Sequence, residues 1–112
     1  ATLTITKENF RQEVLESAKP VLLDLWAGWC GPCRRVAPII EEIAAQRQDI
    51  SVGKINVDEQ PELAAAFRVM SIPMLVVMKG GKVVNQALGA LPKIRSSPCW
   101  PKCKQNAGRS VL

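Results

Sequence analysis

The sequence predicts an α/β fold: a mixed central β-sheet with helices on both faces, in the order β-α-β-α-β-α-β-β, with a final helix left open. Three observations carry this. Val21-Leu22-Leu23-Asp24-Leu25-Trp26 is a nearly continuous apolar run, the pattern of a central strand covered on both faces. Strand-like and helix-like periodicities alternate along the rest of the chain. Lys79-Gly80-Gly81-Lys82 then separates two apolar runs as a hairpin turn does.

Taken in order, Thr2 to Thr6 alternates in polarity and reads as a short strand. A helix opens at Thr6 or Lys7 and carries Phe10, Val14 and Leu15 on one side, until Lys19-Pro20 breaks it. The apolar run from Val21 to Trp26 follows, then a Cys-Gly-Pro-Cys turn and a longer helix from about Pro32 to Gln48. Val36, Ile39, Ile40, Ile43 and Ala44 face inward on that helix. Pro38 lies inside it and removes one backbone donor, so a kink is expected there. Ser51 to Val57 reads as a strand, and Pro61 to Phe67 as a short helix with Pro in its first turn. Pro73 to Met78 and Val83 to Leu88 form the hairpin strands. No internal repeat or low-complexity linker appears.

A chain of 112 residues has room for one domain with one modest core, and we read residues 1–112 as that domain. No apolar stretch approaches the roughly 20 residues that span a bilayer, so no membrane partner is expected. Residues 1–5 lack a basic region followed by an apolar core, and the expectation is a cytoplasmic protein without a secretory signal. The net charge of +5 dissolves as a hint of nucleic-acid binding once it is located. Residues 1–62 hold seven Lys/Arg and ten Asp/Glu, while residues 63–112 hold eight Lys/Arg and no acid. Five of those eight lie from Gly89 onward, which reads as a solvated basic tail rather than a phosphate-binding face.

The chemistry concentrates in Trp29-Cys30-Gly31-Pro32-Cys33, between the central strand and the start of the long helix. A helix N-terminus presents unpaired N–H groups and partial positive charge, which stabilise a thiolate. Cys30 is therefore the candidate nucleophile. Cys33, one turn into the helix, can reach the Cys30 sulfur and resolve a mixed disulfide. Gly31 permits the tight turn and Pro32 presets the helical φ. A bare C-x-x-C also fits half of a zinc site or a structural disulfide. Zinc would need a second ligand pair, and the chain has no His; only Cys99 and Cys103 remain, with an unusual three-residue gap. Asp24 is anomalous as the one acid in an apolar strand. It is either a strand-end residue facing solvent or a buried carboxylate whose desolvation suits it to general-base work.

Trp26-Ala27-Gly28-Trp29-Cys30-Gly31-Pro32-Cys33, Val52-Gly53-Lys54-Ile55-Asn56-Val57-Asp58, Ser71-Ile72-Pro73 and Gly89-Ala90 stand in the order and spacing of bacterial thioredoxins. The chain resembles that family from about residue 2 to 93. The resemblance implies the thioredoxin fold and reduction of protein disulfides by dithiol–disulfide exchange, since the Gly-Pro pair is similar to that of the reducing members. It implies Asp24 as proton acceptor for Cys33, with Lys54 as its neighbour. It also implies a cis Ile72–Pro73 bond against the cysteines, with the Ile72 backbone bonding an extended substrate. Trp29, Gly31, Pro32, Ile72, Pro73, Leu88, Gly89 and Ala90 would form the apolar docking surface, and Trp26 would pack beneath the active-site loop. Gly28 replaces an acid common at that place in the family. No bound cofactor or metal is implied; the partners are a thioredoxin reductase and disulfide-containing proteins, and the expected state is a monomer. An oxidase or isomerase of the same fold, and a docking subunit without redox activity, are the competing readings.

Beyond Lys93 the pattern stops. Pro92, Pro98 and Pro101 and the sparse aliphatic residues do not compose the family's final amphipathic helix, so residues 94–112 are read as an atypical tail without a catalytic role. Ser97 with Pro98 could still open a short helix ending near Gly108, which would put Cys99 and Cys103 on one face.

Overall fold

The computed structural model describes residues 2–88 and the strand residues 109–110, with side chains described as far as residue 86. Gly89, Ala90, Cys99, Cys103 and the expectations placed on them lie outside the described residues, as does the Leu88 side chain. The elements are β1 (Leu3–Thr4), a short helical segment (Arg11–Leu15), β2 (Val21–Trp26), α1 (Gly31–Gln46), β3 (Ser51–Asn56), α2 (Pro61–Ala66), β4 (Met74–Lys79), β5 (Lys82–Leu88) and β6 (Arg109–Ser110). They build a mixed sheet in the order β1-β3-β2-β4-β5-β6. β2 is parallel to β3 and antiparallel to β4, so the apolar run at Val21–Trp26 lies at the centre, as its composition predicts.

Because side chains alternate across a strand, β2 feeds two cores. Val21, Leu23 and Leu25 join Val76 and Met78 of β4 on one face, under Phe10, Val14, Leu63 and Phe67 from the two shorter helical segments. Phe10 and Phe67 meet edge-to-face with ring centroids 5.8 Å apart, a geometry that adds about 1 kcal/mol to their burial. Leu22 on the other face joins Val52, Leu75 and Val77 beneath Val36, Ile40 and Ile43 of α1. Asp24 and Trp26 continue that second row toward the C-terminal end of β2. Helices therefore cover both faces, and α1 is the one that lies over Asp24.

The first helix differs from its sequence reading. Asn9 Oδ1 accepts the Thr6 N–H at 2.8 Å, and Asn9 Nδ2 donates to the Thr4 carbonyl at 2.9 Å. These local bonds hold a turn where the periodicity suggests helix, because Asn side chains compete with the helical backbone. The helical segment then starts at Arg11 and closes with the Glu16 N–H on the Arg11 carbonyl, an i→i+5 bond. α1 runs through Pro38 without a break in its assigned length.

Two turns aim the chain at the site. Gly80 and Gly81, with φ of +62° and +80°, form the two-residue hairpin between β4 and β5. At the end of α2, the Arg68 N–H bonds the Ala65 carbonyl and the Val69 N–H bonds the Ala64 carbonyl. This is a Schellman closure, and Arg68 takes its left-handed position at φ 55° where glycine is usual. The chain is thereby reversed into the Val69–Pro73 loop. β6 adds two residues to the edge of β5, too short a strand for periodicity to disclose.

Candidate active site

β2 delivers the chain to a tight turn closed by the Cys30 N–H on the Ala27 carbonyl at 3.2 Å. Cys30 is the N-cap of α1 in extended conformation, and its Sγ accepts the Cys33 N–H at 3.2 Å. One of the orphan donors of the helix start is thus aimed at the sulfur, the arrangement that stabilises a thiolate when the pair is reduced. Cys30 and Cys33 are joined as a disulfide with Cα atoms 5.3 Å apart, inside the range such bonds need. Both residues are buried, packed with Ala27 and flanked by Trp26, Val57 and Ile72. Gly31 and Pro32 are exposed on the first turn above them.

Asp24 lies beneath this turn, fully buried, and neither of its carboxylate oxygens has a hydrogen-bond partner. Desolvation pushes its pKa up to about 6, against the opposing pull of the Lys54 ammonium. Asp24 and Lys54 are register partners across β2 and β3. A cavity of about 110 Å³ brings Asp24, Cys33, Lys54 and Arg34 to one space, large enough to admit water. The strand-end alternative for Asp24 is thereby set aside: its carboxylate faces the cavity shared with the second cysteine.

The Ile72–Pro73 bond is cis, Pro73 is buried, and Ile72 packs on the cysteine cluster. An open groove of about 340 Å³ runs beside it, lined by Trp29, Val57, Val69, Met70, Ser71 and Ile72. Trp29 is 70% and Met70 93% exposed, so two of the large apolar side chains that remain in water flank this groove.

Val69 and Met70 carry no periodic signal as apolar residues on a loop, and Val57 and Ser71 are visible in the sequence only as members of their motifs, without a place in the site. Two polar contacts were equally invisible. Trp29 Nε1 donates to Asp58 Oδ2 at 2.9 Å, and Arg34 Nη2 donates to the Gly28 carbonyl at 2.8 Å. Asp58 is presented by an Asx turn, with Asn56 Oδ1 accepting the Asp58 N–H at 2.9 Å. The signal for it was its place at the end of the Val52–Asp58 motif.

Comparisons with known proteins agree with this geometry. The thioredoxin family model matches residues 1–96. A thioredoxin from Alicyclobacillus acidocaldarius is 51% identical over 94 residues, which cover 83% of this chain and 89% of the relative. Thioredoxin 1 of a Nostoc species is 50% identical over 103 residues, covering 91% of this chain and 96% of its own. A bifunctional thioredoxin reductase/thioredoxin from Mycobacterium leprae is 48% identical over 93 residues, 82% of this chain but 20% of that longer protein. The likeness extends across the sheet from β1 to β5, both α-helices and the cysteine pair. On that ground the chain belongs to the thioredoxin family of thiol–disulfide oxidoreductases.

Proposed function

We propose that the protein reduces disulfides of other proteins through a two-step exchange in which Cys30 attacks and Cys33 resolves. The Cys30 thiolate attacks one sulfur of the substrate disulfide; that S–S bond breaks and its second sulfur leaves as a thiolate that takes a proton. Asp24 then accepts the proton of the Cys33 thiol, and Cys33 attacks the Cys30 sulfur. A Cys30–Cys33 disulfide forms and the substrate's remaining sulfur is released as a thiol. Two electrons and two protons pass to the substrate. The observation that carries this reading is the shared cavity of Asp24 and Cys33 beneath a disulfide at a helix start.

Lys54 acts as the electrostatic neighbour of Asp24, and the groove beside the cis Ile72–Pro73 bond, with Trp29, Gly31, Pro32 and the Leu88–Ala90 segment, receives an extended substrate strand. The oxidised form is returned to the dithiol by a thioredoxin reductase. The Mycobacterium leprae relative, whose name joins those two activities, supports that partner. A dithiol that works as a reductant suits a reducing compartment, which supports a cytoplasmic location; the carrier is read as a monomer acting as a single domain. Among the described residues no helix is long and apolar enough to cross a membrane.

Insulin-disulfide reduction by the wild-type protein and by Cys30→Ser tests the mechanism. Loss of turnover in the variant is expected, and unchanged turnover would refute it.

A further inference from the structure

The register of the sheet gives Lys54 two places to put its ammonium. Its Cα is paired with that of Asp24, while Trp26 stands diagonally opposite, two residues along β2 on the same face. Straight across lies a buried carboxylate with no partner for either oxygen. On the diagonal lies an aromatic face, the best of the side-chain π systems for a cation. The structure takes the diagonal: Lys54 Nζ sits 5.2 Å from the Trp26 ring centroid and makes no hydrogen bond to Asp24.

Trp26 and Lys54 also form a common wall. Both line the cavity that holds Asp24 and Cys33, and both line a second cavity of about 270 Å³ on the outer side. Charged groups are distributed unequally across that wall. Toward Asp24, α1 contributes Cys33 and Arg34, whose guanidinium is engaged by the Gly28 carbonyl, and β4 contributes only the apolar Leu75 as register partner. On the outer side stand Glu41 of α1 and Glu59, which favour an ammonium held there.

We propose that Trp26 is a positioning residue: its ring face holds the Lys54 ammonium off the Asp24 carboxylate and so preserves that carboxylate as a proton acceptor. A lysine free to pair directly with Asp24 would stabilise the ionised form and weaken its capacity to take a proton from Cys33. The functional consequence rests on the reading of Asp24 as proton acceptor. The positional claim does not, and it is read without turnover.

The test is the pH titration of the Asp24 carboxyl carbon by NMR in the disulfide form. Wild type, Trp26→Leu, Lys54→Met and the double variant make up a cycle. Trp26→Leu is expected to lower the Asp24 midpoint by roughly half a pH unit when Lys54 is present, and to leave it in place in the Lys54→Met background. An unchanged or raised midpoint in Trp26→Leu would overturn the proposal. So would an equal drop in both backgrounds, which would assign the effect to water entering beside Asp24. Where Trp26→Leu does not fold, Trp26→Phe with and without Lys54→Met decides in the same way, with a smaller drop expected because the π face is weaker. If the cycle succeeds while Asp24→Asn turns over insulin like wild type, the positional claim stands and the proton-acceptor reading fails.

Discussion

The Cys33 N–H donates to the Cys30 sulfur at 3.2 Å, so Cys30 caps the helix start through the backbone of the second cysteine. This contact gives unequal surroundings to two chemically identical side chains. On the proposed exchange, a helix start favours a thiolate at the cap position, where Cys30 stands. Cys33→Ser keeps the cap, since the backbone N–H is unchanged, but removes the resolving sulfur. The expected outcome is a long-lived mixed disulfide between Cys30 and a substrate cysteine, detected by mass spectrometry. Rapid release of the substrate from that variant would contradict the assignment.

Asp24 makes stability depend on pH. Its carboxyl is held at about 6 in the folded protein, against an ordinary value of 3.8, chiefly by desolvation. The folded state thus binds a proton that the unfolded state releases across that window. The Asp24 contribution is most favourable below pH 4 and is lost as pH rises through 6. By pH 7 that offset amounts to about 3 kcal/mol of lost stability. Asp24→Asn is expected to be more stable than wild type at pH 8, by up to that amount, with the gap closing near pH 4. Urea unfolding at the two pH values measures it. The same variant is expected to slow the resolving step, so stability and rate move in opposite directions.

Gly53 illustrates how the sheet edge is closed. A Cβ at that position would lie 2.6 Å from Ile5 Cγ1 and 3.1 Å from Leu23 Cδ2, both buried side chains. Gly53→Ala is expected to cost about 1–3 kcal/mol in chemical denaturation. Ile5→Ala, which removes the γ carbon in the way, is expected to couple with it, so that the double variant loses less than the sum of the two single losses. A fully additive pair would show that the close approach is not what selects glycine.

Arg68 marks a position where local conformation and residue type disagree. At φ 55° its Cβ is crowded, yet it completes the turn that sends the chain from α2 to the Ile72–Pro73 loop. Arg68→Gly is expected to raise stability by about 0.5–1 kcal/mol without altering insulin turnover. A lower denaturation midpoint would refute the strain argument.

Trp29 lines the groove beside Ile72 and donates its indole N–H to Asp58, and on the proposed function that groove docks the substrate. Asp58→Ala is expected to raise KM for a protein disulfide by a few-fold and to leave the reduction of a small disulfide unchanged. One exposed hydrogen bond contributes about 1 kcal/mol. Equal effects on both substrates would place Asp58 in the exchange chemistry rather than in docking.

Local rules determined much of this protein. The apolar run of β2, the double-glycine hairpin and Pro61 at a helix start each encode structure within a few residues, and these elements stand where those signals place them. The C-x-x-C spacing at a strand–helix junction encodes the redox pair in the same local way. The tertiary structure decided what depends on register and burial. Asp24 could be read as solvent-facing or buried until α1 was seen to cover its face of the sheet. Lys54 could be named as its neighbour, but only the pairing of β2 with β3 puts Trp26 within diagonal reach of its ammonium. Met70 and Asp58 became part of the site through contacts between segments far apart in the chain. The reason is physical. Helix and strand periodicity is written in neighbours along the chain, whereas the charge state of a buried group is set by neighbours across the fold.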